Sequence, residues 1–352
     1  MRWLLRLYHR YELWAKLSGV LVFLVVIASL YFFVLASPKP GSGPALAQAT
    51  PSPTVPAPSV PPDLPTVTVT PGPSPSPTPP LLPPRYQVRE QTNLDYESAS
   101  SLDERFDICS PVGATGPRPG VILLHDIGTQ VDDKVVYAGL CSLLASQGFV
   151  AVAINFRKYP NVWPDQLEDA QLAVRYLRAH ASAYQLDPAR LCALGSSAGG
   201  HLALLLGVLG TNYPGDKATL LTTESPRVSC VVDEFGMVDL PRLDQNTTFW
   251  PSAFDFLFGP NAVENNPTLL IQASPIHYVS AQSAPTLIVQ GTLDTIVPPD
   301  QSQELQQALQ RDNVPVSYLS YIGQHNFDGM TPQQIGAINV QIIAYLTNQE
   351  HP

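Results

Sequence analysis

The residues Gly195-Ser196-Ser197-Ala198-Gly199-Gly200 stand between a short apolar run, Arg190–Leu194, and a helical run that opens at His201. A strand that turns this sharply into a helix strains the residue at the bend, and its neighbours two positions away must be small. Only Ser197 has glycine on both sides; Ser196 has Leu194 and Ala198 there instead. A serine hydroxyl is a weak nucleophile near neutral pH, so it needs a base, and the base needs an orienting carboxylate. With this kind of turn the chain order is serine, acid, histidine. Asp294 follows the apolar run Thr286–Gln290, and His325 comes 31 residues later in Gly323-Gln324-His325-Asn326-Phe327. These three are the expected catalytic residues. Acyl transfer also needs N–H donors aimed at a developing oxyanion. Ala198 would offer one at a helix N-terminus, where the dipole assists. The loop His125-Asp126-Ile127-Gly128, after the run Val121–Leu124, would offer another from Asp126 or Ile127.

The remaining histidines suit other roles. His201 lies four residues past Ser197 on the same helix and is expected to pack or cap. His125 ends a strand, His277 precedes Asp294, and His180 sits in an Arg/Ala-rich helix facing water; His9 and His351 lie outside the domain core.

Such a site has to be carried by alternating strands and helices. Apolar runs of strand type begin at Gly120, Phe149, Arg190, Val228 and Pro285, and a further apolar run spans Val314–Ile322. Helical patterns at Asp133–Gln147, Pro164–Ala183, Gly199–Leu209 and Pro299–Asp312 separate them. Strands apolar throughout and divided by helices indicate a mostly parallel sheet covered on both faces. Segments around Gln87–Arg89 and Arg105–Ile108 read as antiparallel strands leading into it. The fold class is α/β, one domain over residues 85–352.

The 84 residues before that domain are of another kind. Residues 18–36 are uncharged and apolar, about the length of one bilayer-spanning helix. Residues 1–17 carry Arg2, Arg6, Arg10 and Lys16 against Glu12, which places the N-terminus in the cytoplasm and the domain outside it. The competing expectation is a signal peptide cut near Ala47 in Ala45-Leu46-Ala47, although the apolar run is long for one. Residues 37–84 hold 18 of the 37 prolines and read as an extended linker, reaching on the order of 100 Å. After residue 84 there are 14 basic and 27 acidic residues, too acidic a surface for a nucleic-acid partner. An exported domain permits disulfides, but Cys192 and Cys230 lie within apolar strand runs and Cys141 within a helix, so free buried cysteines, Cys109 included, are expected ahead of bridges. Their spacing does not suit zinc.

With these residues in view, the domain resembles an α/β-hydrolase of the acetyl-esterase/feruloyl-esterase-like (BD-FAE-like) branch, which overlaps the hormone-sensitive-lipase-like carboxylesterases. The resemblance runs through Trp163–Gly207, Ser274–Leu309 and the Gly323–Phe327 segment. It implies an eight-stranded sheet, no cofactor and no metal. It also implies hydrolysis of small or medium acyl esters, acylated carbohydrates among them, by Ser197, His325 and Asp294. The family's His-Gly-Gly-Gly is here His125-Asp126-Ile127-Gly128. A β-branched Ile127 would be strained at positive φ, and a carboxylate at Asp126 would oppose an oxyanion unless turned away. Between Met237 and Ala273 an aromatic insert with Phe249, Trp250, Phe254 and Phe258 falls where this fold places its cap and substrate pocket. Two other readings stand beside the esterase: a prolyl-oligopeptidase-like serine peptidase, and a weakened hydrolase domain serving as a binding module.

Overall fold

The apolar runs become strands of a single sheet in the computed structural model, which describes residues 82–96, 104–127, 133–158, 160–210, 219–246, 254–255, 257–266 and 268–349. The expected membrane segment at 18–36 and nearly all of the linker at 37–84 lie outside the described residues. Among the described residues no helix is long and apolar enough to cross a membrane.

Eight strands line up in the order β1-β2-β4-β3-β5-β6-β7-β8. They are β1 (Val88–Asp95), β2 (Arg105–Pro111), β3 (Arg118–Leu124), β4 (Val150–Ile154), β5 (Leu186–Ser196), β6 (Val231–Glu234), β7 (Thr286–Gly291) and β8 (Val316–Tyr321). Strand β2 runs antiparallel to both its neighbours, and every pairing from β4 to β8 is parallel. Helices α1 (Ala138–Ser146), α2 (Asp165–Ala179), α3 (Ala198–Val208), α4 (Pro299–Arg311) and α5 (Pro332–Asn348) cover it.

Alternation along the strands decides which face each helix covers. Ile122 and Leu124 of β3, with Val150, Val152 and Ile154 of β4, pack with residues of α2, α3 and α4. Val121, Leu123, Ala151 and Ala153 point the other way, into a cluster with α1 and α5. Helix α5 is not among the expected helices. Its start is nonetheless written in Thr331-Pro332, where the Thr331 side chain accepts the Gln334 N–H and Gln334 caps in return.

The cysteines are not free. Cys109 bonds to Cys141 and Cys192 to Cys230. The expectation of free thiols fails because pairing depends on register, which residue types alone do not show. The parallel register sets Ala193 against Val231, so the preceding residues Cys192 and Cys230 lie side by side with Cα atoms 4.6 Å apart. Helix α1 packs on β2 with Cys109 and Cys141 5.7 Å apart. Both separations suit a bridge.

Strand order reverses between β3 and β5: the chain moves outward from β3 to β4, crosses back to β5, then proceeds through β6, β7 and β8. A crevice opens at the carboxyl ends of the strands where such a reversal occurs. The His125–Ile127 segment and Ser197 emerge there, from β3 and β5 respectively.

Candidate active site

Ser197 sits at φ 51° and ψ −113°, between the last residue of β5 and the first of α3. That conformation is costly for a residue with a side chain, and it persists because the surroundings hold it. The bend brings α3 so close to β3 that a Cβ on Gly199 would lie 1.9 Å from the Leu124 carbonyl oxygen. A Cβ on Gly195 would lie 2.2 Å from the Gly199 carbonyl oxygen. The glycine spacing seen in the sequence is therefore a packing requirement of this turn. The Ser197 N–H donates to the Glu234 carbonyl, tying the turn to the end of β6.

Three residues distant in sequence meet at this turn. His325 Nε2 lies 2.9 Å from Ser197 Oγ, and His325 Nδ1 lies 2.8 Å from Asp294 Oδ2. With Nδ1–H donating to the carboxylate, Nε2 keeps its lone pair for the serine hydroxyl, a tautomer assigned from this network. All three side chains are buried. Asp294 Oδ1 accepts the N–H groups of Ile296 and Val297, each at 2.9 Å, which orients the carboxylate. Phe235 packs against the His325 ring at 4.8 Å.

Gln290 was not foreseen. Its Nε2 donates to Asp294 Oδ2 at 3.2 Å, while its Oε1 accepts the Ser302 hydroxyl at 2.7 Å. The signal was a lone amide closing the otherwise apolar strand β7, where a buried polar group must have partners. The Trp163 backbone N–H donates to the Leu257 carbonyl, and the Trp163 ring lies 5.7 Å from His201 and 6.2 Å from Phe258.

The two other histidines near the site are structural. His201 Nε2 meets the Ala273 carbonyl at 2.7 Å, and burial lowers its pKa to about 4, keeping it neutral. His125 stacks on Phe156 with ring centroids 4.4 Å apart, and its Nδ1 lies 2.6 Å from the Asp126 carbonyl oxygen.

Ala198 and Ile127 both border an apolar cluster built from the cap. Ile127 is not in the left-handed region, so the strain expected at that position does not arise. Its N–H donates to the carboxyl of Asp126 at 2.6 Å. The other Asp126 oxygen lies 3.5 Å from Nδ2 of Asn326, next to His325, so the side chain turns toward the site. Of the aromatic insert, Phe254 and Phe258 are buried in the cap cluster with Leu240, Leu243 and Leu270. Their rings lie 5.7 Å apart. Phe249 and Trp250 lie outside the described residues.

Beneath the turn, β6 ends in two buried carboxyl groups. Burial raises Asp233 to about 7, against the Gly236 N–H that donates to it at 2.9 Å. Burial, with Asp233 adding to it, raises Glu234 to about 8.

An eight-stranded sheet in this order, with a strained serine after β5 and an acid and histidine after β7 and β8, defines an α/β-hydrolase. Residues 106–309 match the family model described as BD-FAE, and the chain belongs to that family. It is 30% identical over 245 residues to Esterase LipC of Mycobacterium tuberculosis, covering 67% of this chain and 60% of the relative. It is 33% identical over 193 residues to Probable carboxylic ester hydrolase LipM of the same organism, covering 54% of this chain and 44% of the relative. The chain thus spans less than two thirds of either relative. Its fold is similar to that of a truncated carbohydrate esterase from gut microbiota, with TM-score 0.64 and 23% identity, covering 76% of this chain and 98% of the other.

Proposed function

We propose that the protein is a serine carboxylesterase that hydrolyses small or medium acyl esters, acylated carbohydrates among them, through an acyl-enzyme. One observation carries the reading: the unbroken series of hydrogen bonds Asp294–His325–Ser197, ending on a serine held at positive φ. In this reading His325 Nε2 takes the Ser197 proton as Oγ attacks the ester carbonyl. The N–H groups of Ala198 and Ile127 face the developing oxyanion. The imidazolium, oriented by Asp294, then protonates the departing alcohol, and a water deprotonated by His325 releases the acid. The names of the relatives, an esterase and a carboxylic ester hydrolase, agree with this chemistry. That of the carbohydrate esterase suggests the alcohol part.

The same proposal places residues 18–36 in a membrane, with residues 37–84 as a tether and the catalytic domain outside the cytoplasm. Two disulfides suit an oxidising compartment.

The test uses the full chain in mild detergent with p-nitrophenyl acetate, butyrate and octanoate, beside a dipeptide p-nitroanilide. Turnover of the esters that vanishes in Ser197→Ala supports the reading, and the chain-length ranking sizes the acyl pocket. Turnover of the anilide alone would move the assignment to a peptidase.

A further inference from the structure

Asp126 stands where a family member of this kind has glycine, and its carboxyl engages one of the two groups that would serve an oxyanion. The Ile127 N–H donates to Oδ1 at 2.6 Å. The Ala198 N–H and the Ser197 hydroxyl lie close enough to the same carboxyl to lower its pKa. Asn326 Nδ2, beside His325, lies 3.5 Å from Oδ2. The carboxyl therefore bridges the loop after β3 and the loop after β8, and it holds a donor that an ester carbonyl oxygen would need. His125 anchors the backbone at this point through its stacking on Phe156.

Such a contact opposes catalysis. A carboxylate is a stronger acceptor than an ester carbonyl, so it competes for the N–H donors of the oxyanion site, that of Ile127 first. Burial raises the Asp126 pKa, while His325, the Ile127 N–H, the Ser197 hydroxyl and the Ala198 N–H pull it down less strongly. The carboxyl is thus held at some cost, and displacing it strips away its hydrogen bonds from Ile127 and Asn326. A displaced carboxylate in this crevice needs new donors. A simple aryl or alkyl ester brings none, whereas an ester with a free hydroxyl next to the acylated oxygen brings one to the right neighbourhood.

We propose that Asp126 is a specificity-determining residue: its carboxyl fills the oxyanion position at rest and yields to esters that offer it a neighbouring hydroxyl. The inference rests on the ester-hydrolysis reading above and names the substrate feature that reading leaves open. The bound hydroxyl donates to the rotated Asp126, and the ester carbonyl oxygen takes the vacated Ile127 N–H beside that of Ala198.

The test compares a monoacetylated methyl xyloside bearing a free adjacent hydroxyl with its counterpart methylated at that hydroxyl. Wild-type protein is expected to prefer the free-hydroxyl ester. Asp126→Ala is expected to raise kcat/KM on the methylated ester about tenfold and to collapse the preference toward unity. Asp126→Asn, which keeps the shape of the loop and loses the charge, should move in the same direction and serves if the alanine variant does not fold. A preference ratio unchanged in both variants, or activity lost equally on both esters, overturns the proposal while leaving the esterase intact. Absence of turnover of either ester by wild type and both variants would instead overturn the esterase reading, and this inference with it.

Discussion

Four hydrogen bonds converge on the carboxylate of Asp294, from the Ile296 and Val297 N–H groups, from His325 Nδ1 and from Gln290 Nε2. The first two fix one oxygen; the last two share the other. Gln290 therefore acts through Asp294 on the orientation of His325, and it is a positioning residue. Gln290→Leu is expected to lower kcat about tenfold with little change in KM, the cost of one hydrogen bond to a buried charge, whereas Gln290→Glu places a like charge against Asp294 and should be worse. Equal losses in kcat and thermal stability in the leucine variant, with KM raised, would point to general loosening instead. At this scale the sequence was legible for the three residues that meet at the turn. Ser197, Asp294 and His325 each sit in a segment whose residue types state a role. It was not legible for groups acting at one remove, because the bond from Gln290 to Asp294 exists only once β7 and its loop have folded. The direction of the Asp126 side chain was equally hidden: the residue type warned of a carboxylate near the oxyanion position, and only the loop geometry shows it turned inward.

The turn from β5 into α3 depends on bare backbone meeting bare backbone. With the Gly199 Cβ position 1.9 Å from the Leu124 carbonyl oxygen, neither side can yield without breaking β3 or α3. Gly199→Ala should cost more than about 3 kcal/mol, at the upper end of single substitutions, and give little soluble protein. A variant with wild-type melting temperature would contradict this packing. The end of β6 makes a different prediction. Asp233 and Glu234 hold their protons to about 7 and about 8 in the folded protein, well above their unfolded values. Folding therefore retains protons that the unfolded chain releases, and stability falls as pH rises from roughly 4 through 8. Wild-type Tm should drop across that range, and Asp233→Asn combined with Glu234→Gln should flatten the drop by several degrees. A pH profile unaltered in the double variant would show that these carboxyls ionise freely. The strands and helices themselves were readable because a parallel sheet buried on both faces demands continuous apolar runs. Cysteine pairing was not, since it follows from the register of β5 on β6 and the seating of α1 on β2.

Across the whole molecule, each disulfide closes a long loop, Cys109 to Cys141 and Cys192 to Cys230. Loops of that size correspond to about 4 kcal/mol each in a chain-entropy account. Replacing both cysteines of either pair with alanine should lower Tm by roughly 5–10 °C while leaving the ester turnover at lower temperature near wild type. Unchanged melting would mean that the pair is not bridged in solution. The proposed tether predicts no change in either quantity: deleting residues 50–80 should leave turnover of soluble esters and Tm unchanged, and a large loss would mean that this stretch contacts the domain. The most direct test of the account is intact-mass spectrometry of the full chain after treatment with a fluorophosphonate. A single adduct mapping to Ser197, absent from Ser197→Ala and much slower to form in His325→Ala, is the predicted result. A folded protein that takes no adduct, or one whose adduct persists in Ser197→Ala, would contradict the assignment of Ser197 as the nucleophile.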